Sequence, residues 1–319
     1  MRHSFPTRRS SDLLAIAALL AILSLPAGAS AKTNIRVGIG DQQPAMFDQQ
    51  AFQQLKIKRV RYFVRWDAMA HPRDLAAADA YVAAARRHGV SVFMHISSDN
   101  LTRKKAKLPK LSTYKSRVTK LVKHFRAKGV KEWGARNEAN HDSQATYKSP
   151  KRAADEFKIV RGACKGCTVV ALDVLDQPGA TSYVRRFYAA LGSYKRYAKV
   201  VGIHNYSDVN RKRTSGTRAI IKEVKKRDSV KTQFWLTETG GVVNFGSAFP
   251  YSTSRAAARL KYLFSSVKGS LRKDVKRVYV YNWTGAERGA RFDAGLTNPD
   301  GSARPALAVF KQQLSGFLR

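Results

Sequence analysis

The sequence predicts an α/β fold, a single (β/α)8 TIM-type barrel, on two observations. Short runs rich in β-branched and aromatic residues alternate with amphipathic stretches rich in Ala, Lys and Arg, and eight strand-like runs occur in the chain. Strands alternating with helices favour parallel βαβ units, and eight such units in one chain are typical of a closed barrel. A doubly wound sheet is the alternative, but the turn GIGDQQPA lacks the G-x-G-x-x-G spacing of its phosphate loop.

The eight predicted strands share an apolar, β-branched composition that fits a buried parallel sheet. In chain order they cover residues 34–40, 59–65, 90–96, 131–136, 168–174, 199–206, 232–238 and 277–283. Because the carboxyl ends of barrel strands meet at one face, the residues that follow these runs are the first candidates for a functional site.

The helices between them show start and stop signals as well as apolar residues at helical spacing. In PRDLAAADAYVAAARRHG, Asp74 lies in the first turn and Gly89 follows the last, and a second helix ends at Gly129 in the same way. Further helices are predicted in segments 152–164, 182–192, 217–227, 254–269 and 304–318, and a first, weaker one around FDQQAFQQL. No low-complexity tract or Pro/Ser-rich linker divides the chain, so one domain is predicted over 32–319.

The first 31 residues predict a secretory signal peptide. The run LLAIAALLAILSL, residues 13–25, is followed by small residues with cleavage sites after Ala29 or Ala31, and it is shorter than the roughly 20 apolar residues of a membrane span. The stretch HSFPTRRSSDL, residues 3–13, resembles a translated sequencing adapter. The sequence therefore predicts a secreted, extracellular protein whose mature part crosses no membrane.

The chain carries 59 Lys and Arg against 22 Asp and Glu, a net charge of +37. Such an excess is compatible with anionic partners, here an anionic cell-wall polymer or acidic polysaccharide, but a solvated basic surface without such a partner is the favoured interpretation. No basic run is interleaved with aromatic residues as in a base-stacking platform, so specific nucleic-acid binding is not predicted. A monomer is expected, and no metal or cofactor.

The two cysteines, Cys164 and Cys167, form a C-x-x-C pair. Such a pair can be a redox site, half a zinc site or a local disulfide. A tetrahedral zinc site needs more ligands than the chain clusters here, and a thioredoxin-type motif opens a helix whereas this one closes a helix. The sequence therefore favours a disulfide between a helix end and the next strand.

Two glutamates stand at the ends of predicted strands: Glu138 after the fourth strand and Glu238 on the seventh. Paired carboxylates across a groove are what glycoside hydrolysis uses, one as proton donor and the other as nucleophile or base. Either glutamate could instead offset one of the many basic residues, but two at matched strand ends favour chemistry. Asp173 and Asp176 at the fifth strand end are interpreted as helix caps or rim residues.

These motifs, NE after strand 4 and TE in WLTETGG on strand 7, resemble the signature of the clan A glycoside hydrolases, which are retaining (β/α)8 enzymes. The resemblance implies that Glu138 is the general acid/base and Glu238 the nucleophile. It further implies that Asn137 bonds the sugar 2-hydroxyl. Many members have proline where this chain has Ala139, so the family within the clan stays open.

The same resemblance implies a set of substrate-binding residues around the two glutamates. HNY after strand 6 matches the clan's H-x-Y, with Tyr206 against the nucleophile and His204 near the acid/base. Looser matches are Trp283 as an aromatic platform, Arg65 as the strand 2 arginine and His95 as the strand 3 histidine. Three alternatives stay open: Trp283 as core packing, His204 as a satisfied buried histidine and Arg61 in place of Arg65.

The function predicted is a secreted retaining O-glycoside hydrolase that acts on an oligo- or polysaccharide by double displacement. The alternative is a barrel that binds carbohydrate or another polyanion at the cell surface without catalysis. The sequence indicates neither the sugar nor its linkage, nor whether attack is endo or exo.

Overall fold

The eight predicted strands close into one parallel barrel in a computed structural model that describes Met1, residues 32–100 and residues 106–319. Each strand pairs with the next along the chain, and β1 also pairs with β8. The strands are β1 Arg36–Gly40, β2 Arg59–Arg65, β3 Ser91–Ser97, β4 Glu132–Gly134, β5 Thr168–Leu175, β6 Val200–His204, β7 Gln233–Thr239 and β8 Val275–Tyr281. The barrel prediction is confirmed, and closure rules out the doubly wound sheet.

Helices surround the barrel, and residues Thr33–Arg319 form one compact unit. The α-helices are α1 Gln50–Gln54, α2 Pro72–Arg87, α3 Leu111–Ala127, α4 Pro150–Ala163, α5 Ala180–Leu191, α6 Tyr206–Asn210, α7 Ser215–Lys225, α8 Thr253–Lys268 and α9 Pro305–Gln313. The predicted signal peptide, residues 1–31, and the adapter-like segment 3–13 lie outside the described residues apart from Met1. Within the described part of the chain, no helix has the length and apolar character needed to cross a membrane.

The helix boundaries follow local chemistry. Ser149 and Ser252 accept hydrogen bonds from backbone amides of the first turns of α4 and α8, as expected of N-cap residues. Gly89 and Gly129 follow α2 and α3 with φ of 64° and 90°, in the left-handed region that glycine enters without a steric penalty. The stop signals predicted from the sequence therefore act where expected.

The core has two parts, because successive side chains of each strand point alternately outward to the helices and inward to the barrel lumen. Outward-facing residues such as Val60, Val64 and Val278 pack against the helices in one large cluster. Inside the barrel a smaller apolar cluster fills the lumen, made of Phe93, Val170, Val200, Trp235 and Tyr279. The lumen is thus a packed core, and the residues one step further along the strands lie above it, at the mouth.

Two glycines make room for large polar side chains at the mouth. A Cβ added at Gly134 on β4 would lie 2.1 Å from the imidazole of His95. A Cβ at Gly202 on β6 would lie 2.6 Å from the Thr237 hydroxyl and 2.9 Å from the Asp173 carboxyl carbon. Glycine at these positions is therefore what lets a histidine and an aspartate enter the lumen.

Cys164 and Cys167 are joined by a disulfide at the end of α4, as the sequence favoured. Cys164 is buried and Cys167 lies partly exposed just before β5. The pair therefore links a helix end to the following strand.

A buried ion pair anchors the chain just before Asn137 and Glu138. Arg136 donates two hydrogen bonds of 2.7 Å to the carboxylate of Glu156 on α4, and their side chains are 2% and 0% exposed. Removing one partner of such a pair leaves an uncompensated buried charge. The pair therefore ties the end of β4 to α4.

Glu156→Gln should lower the free energy of unfolding by about 3–5 kcal/mol, because the Arg136 guanidinium stays buried without its counter-charge. Chemical denaturation at neutral pH measures this change. The neighbouring Asp155→Asn is the matched control: Asp155 pairs with Lys151, which is 80% exposed, so its loss should change stability by less than about 1 kcal/mol. Equal effects of both variants would contradict a special role for the buried pair.

Candidate active site

The two glutamates face each other at the mouth of the barrel. Glu138 follows β4 and has a φ of 44°, a conformation uncommon for residues other than glycine that often marks functional sites. Backbone bonds on either side fix it: Asn137 N donates to Ile96 O at 2.7 Å and Ala139 N to Asp173 O at 2.8 Å. A carboxylate oxygen of Glu138 lies within 4.8 Å of one of Glu238.

Glu238 reaches the mouth because β7 is irregular. The pairing between β6 and β7 shifts register after Gly202, so that His204 pairs with Glu238. This irregularity turns both Thr237 and Glu238 toward the lumen. Thr237 donates to Asp173 at 2.9 Å, and Glu238 pairs with Arg61 at 2.7 Å. A regular strand would send one of the two outward.

Arg61 on β2 is the residue that joins these groups. Its side chain is 1% exposed. Its guanidinium donates to Glu238 Oε2 at 2.7 Å, to Asn137 Oδ1 at 2.5 Å and to His95 Nδ1 at 3.2 Å. Because the Asn137 oxygen accepts from Arg61, the amide NH2 is left as the donor of that side chain.

Arg65, the residue expected as the strand 2 arginine, lies outside this cluster and is corrected to Arg61. Its guanidinium pairs with Asp67 at 2.6 Å and with Asp74 at 2.9 Å at the edge of the barrel. Arg61 and Arg65 point to the same side of β2, so alternation does not separate them. What separates them is height: Arg65 ends the strand beside two carboxylates, whereas Arg61 lies deeper, level with the glutamates.

A buried network of two histidines and one aspartate supports the glutamates from below. Asp173 Oδ2 lies 3.1 Å from His95 Nε2 and 3.2 Å from His204 Nε2, and all three side chains are 0% exposed. His204 Nδ1 faces Glu138 Oε1 at 3.0 Å and Glu238 Oε2 at 3.8 Å. His204 therefore touches the acid/base candidate as expected. His95 contacts Arg61 and Asp173 rather than the open mouth.

The charges in this network follow from burial and pairing. Burial alone would lower the pKa of His204, but the Asp173 and Glu238 carboxylates raise it to about 10, so it carries a positive charge at neutral pH. Burial lowers the pKa of His95 to about 3, which leaves this ring neutral. Burial would raise the pKa of Asp173, yet His204 and His95 bring it to about 2. The same His204 lowers the pKa of Glu138 against the effect of its burial.

Tyr206 begins α6, and its hydroxyl donates to Glu238 Oε1 at 3.1 Å, as expected for the tyrosine of the HNY motif. Asp176 holds this helix in place, because its carboxylate accepts from the amides of Ser207 at 3.0 Å and Asp208 at 2.6 Å. This agrees with the interpretation of Asp176 as a helix cap. Burial raises the pKa of Asp176 to about 7 despite these bonds.

Trp283, expected as an aromatic platform, is 0% exposed and does not line the mouth. Its indole donates to Gln49 at 2.7 Å and its ring packs edge-on against Phe52. The expectation placed Trp283 inside a strand that continued to residue 283, but β8 ends at Tyr281 and the alternation ends with it. Tyr281 is the aromatic residue that the structure brings to this place, half-buried and stacked on Phe292.

Among the described residues, Glu138, His204 and Glu238 form the group whose geometry could offer three ligand atoms to a cation. The chemistry of the donors does not fit this use. A metal needs an unprotonated imidazole nitrogen, whereas the pKa of His204 is about 10, and the Arg61 guanidinium already occupies one oxygen of Glu238. The group fits proton transfer better than metal binding.

Comparison with known proteins gives likeness in structure only. No model of a known protein family matches the chain, and no curated protein sequence matches it. Among solved structures, a psychrophilic glycoside hydrolase family 10 endo-β-1,4-xylanase is 14% identical, with a TM-score of 0.63 over 87% of this chain and 96% of that one. A fungal β-1,4-galactanase is 11% identical, with a TM-score of 0.63 over 88% of this chain and 100% of that one.

A family 1 β-glucosidase from Thermotoga maritima is also similar, at 11% identity and a TM-score of 0.58 over 86% of each chain. This chain and these solved glycoside hydrolases share the (β/α)8 barrel fold. At these identities the likeness establishes the fold, which is the one that the motifs NE and TE implied. The roles of individual residues rest on the geometry described above.

Asp173→Asn should lower the pKa of His204 from about 10, because the imidazolium loses one of its carboxylate partners. NMR of labelled imidazoles from pH 5 to 10 measures this directly. Asp79→Asn is the control: Asp79 pairs with His124 and Lys128 elsewhere and should leave the His204 signal unchanged. A His204 that is still protonated at pH 9 in Asp173→Asn would contradict the network.

The same network predicts how stability depends on pH. The pKa of His204 is raised in the folded state from 6.5 to about 10, so its contribution to stability is complete below pH 6.5 and is lost as the pH rises through about 10. The pKa of Asp173 is lowered from 3.8 to about 2, so its contribution is present above pH 3.8 and is lost as the pH falls through about 2. Unfolding free energies measured across this range should show the alkaline loss in the wild type and a smaller one in His204→Asn.

Proposed function

We propose that this protein is a secreted retaining O-glycoside hydrolase that cleaves an oligo- or polysaccharide by double displacement. The observation that carries the proposal is the pair Glu138 and Glu238, whose oxygens approach within 4.8 Å across the mouth of the barrel. Retaining enzymes hold their two carboxyl groups about 5–5.5 Å apart, whereas inverting ones need about 6.5–9.5 Å to admit a water. The short separation favours retention. Secretion rests on the sequence of residues 1–31.

Glu238 is assigned as the nucleophile because of its donors. Arg61 donates to one of its oxygens at 2.7 Å and Tyr206 to the other at 3.1 Å. Its side chain is 10% exposed. The carboxylate is therefore oriented, and its charge balanced, before substrate arrives, as a nucleophile on a fixed strand should be.

Glu138 is assigned as the general acid/base. It is the more exposed of the two, at 17%, and its nearest partner is His204 Nδ1 at 3.0 Å, with His141 Nδ1 at 3.9 Å. In the absence of substrate the proton lies on His204, since the pKa of His204 is raised and that of Glu138 lowered. The two groups titrate as a pair, so the pair carries the proton that the leaving group requires.

The reaction then proceeds in two steps with all protons accounted for. Glu238 attacks the anomeric carbon as the glycosidic C–O bond breaks, and Glu138 gives the departing oxygen a proton that His204 supplies. A water then attacks the glycosyl ester, Glu138 accepts its proton, and Glu238 leaves. Asn137, fixed by Arg61, is placed to direct its amide NH2 at the sugar beside Glu238.

The alternative is a barrel that binds a carbohydrate or other polyanion without cleaving it. The net charge of +37 is the observation in its favour. The arrangement of Arg61, Tyr206 and His204 around the two carboxylates favours catalysis, because binding alone does not require an imidazolium beside one glutamate and a guanidinium beside the other. Salt-sensitive binding of glycans with no hydrolysis of any of them would favour the alternative.

Glu238→Ala should lower kcat by on the order of 10⁴-fold or more, because the nucleophile is lost. Glu138→Ala should retain more activity on aryl glycosides whose leaving groups need no proton, such as 2,4-dinitrophenolate, than on those with poor leaving groups. A panel of aryl glycosides and polysaccharides measures both effects. Glu223→Gln is the control: Glu223 on α7 is partly buried and pairs with Arg227, and its change should leave kcat unchanged. Equal losses of Glu138→Ala across all leaving groups would contradict its assignment.

A further inference from the structure

A continuous series of aromatic rings leads from the nucleophile to the rim of the barrel. Tyr206, which donates to Glu238, lies with its ring centroid 5.5 Å from that of Phe292. Phe292 in turn lies 5.9 Å from Phe245 and 6.4 Å from Tyr281. Phe245 is 40% exposed. The path from the reacting carboxylate to solvent is therefore lined by apolar ring surface.

The loops that carry Phe245 and Phe292 are joined to each other. Asn244 and Asp293 form an antiparallel bridge, with bonds of 3.1 Å and 2.9 Å between their backbones. Asp293 is also paired with Arg304 at 2.8 Å, and both side chains are at most 2% exposed. The rings are thus presented by a rigid framework, and binding to them requires little ordering of the chain.

Two cations lie over further aromatic rings of the segment that carries Phe245. The Arg288 guanidinium lies 5.0 Å from the ring centroid of Tyr251, and that of Arg211 lies 5.0 Å from the ring of Phe249. Phe249 is hydrogen-bonded through its backbone to Phe245. Arg288 and Arg211 are exposed, and neither forms an ion pair with a carboxylate of the described residues. Their charges are available to a ligand.

Acidic groups are scarce on this part of the surface. Segment 240–256, which includes three of the rings, contains neither Asp nor Glu. Asp208 in the neighbouring α6 is buried and paired with Arg213. Glu287 is exposed, but Arg288 and Arg291 follow it in the same loop. This part of the surface therefore carries a local excess of positive charge, in addition to the basic character of the whole chain.

We propose that this aromatic–basic rim is a binding subsite for a carboxylated glycan, a chain that contains uronic acid residues. The rim consists of Phe245, Phe249, Tyr251, Phe292, Arg211 and Arg288. Pyranose rings present flat C–H faces that pack on aromatic rings, and a guanidinium fits a carboxylate with two parallel hydrogen bonds. Since the rings lead to Glu238, the same chain occupies the rim and the active site. The proposal rests on the proposed function and names its substrate class.

The binding test uses the full chain with Glu238→Gln, so that no glycan is cleaved. The probes are hexauronides of galacturonic, mannuronic and glucuronic acid, neutral xylohexaose and a hexamer of uridylate, measured by calorimetry at 50 mM NaCl. At least one hexauronide should bind about 10-fold or more tightly than xylohexaose, since each carboxylate–guanidinium contact contributes on the order of 1.4 kcal/mol or more. Equal or tighter binding of xylohexaose would overturn the proposal, and so would tighter binding of the uridylate hexamer than of every hexauronide.

The charge variants locate the site. Arg211→Ala combined with Arg288→Ala should weaken hexauronide binding about 10-fold or more and leave xylohexaose binding unchanged. Arg86→Ala combined with Arg87→Ala removes the same charge from the end of α2, at the opposite face of the barrel, and should have less than about a 2-fold effect, because exposed distant charges are screened by salt. Equal effects of the two pairs would mean that only the overall charge attracts the ligand, which would refute the subsite.

A variant that removes one aromatic ring tests stacking at the rim, and an activity assay separates binding from hydrolysis. Phe245→Ala should weaken binding of acidic and neutral oligosaccharides alike by about 5-fold, and unchanged binding would contradict stacking at the rim. Hydrolysis by the wild type is measured separately with neutral aryl glycosides and the same hexauronides. Cleavage of neutral glycosides without preferential hexauronide binding would refute the subsite alone, whereas hexauronide binding without any hydrolysis would refute the enzyme and leave the subsite intact.

Discussion

One buried guanidinium organises the mouth of the barrel. Arg61 is 1% exposed and must satisfy its charge and its N–H groups inside the protein. It does so with groups on three other parts of the barrel: Glu238, Asn137 and His95. A charge buried in this way is stable only when paired and hydrogen-bonded. The requirement to satisfy Arg61 therefore fixes the orientation of the Glu238 carboxylate and of the Asn137 amide together.

The remaining charges complement this arrangement. His204, with a pKa of about 10, lies between Asp173 and Glu138 and carries a proton beside the Glu138 carboxylate. Two cations, Arg61 and His204, thus offset most of the charge of the three carboxylates of Glu138, Asp173 and Glu238. The glycines on β4 and β6 leave space for the imidazole of His95 and the carboxylate of Asp173. The apolar cluster below them keeps the polar layer at the mouth of the barrel.

Much of this could be predicted from the sequence, and the failures have physical causes. Short, nearly continuous apolar runs between helical segments predicted all eight strands. Strands of a parallel sheet need this composition because they are buried on both faces. Arg61 and Arg65 share a face of β2, so the alternation of side chains could not show which arginine lies deep in the barrel mouth and which lies at its edge. Trp283 was misplaced because β8 ends two residues before it. Asp173 points inward only because β5 shifts register after Val170, and a single-residue irregularity leaves no signal in composition.

The proposed mechanism requires that Glu238 form a covalent bond to the sugar. The protein is incubated with a panel of activated 2-deoxy-2-fluoro glycosides and then examined by mass spectrometry as the intact protein and as peptides. The fluorine slows both steps, but the activated leaving group keeps the first step fast, so the glycosyl-enzyme accumulates. We expect the added mass of one fluorosugar on the peptide that contains Glu238, and no label on the Glu238→Ala variant. A product released with inverted anomeric configuration, or a label on a different residue, would contradict it.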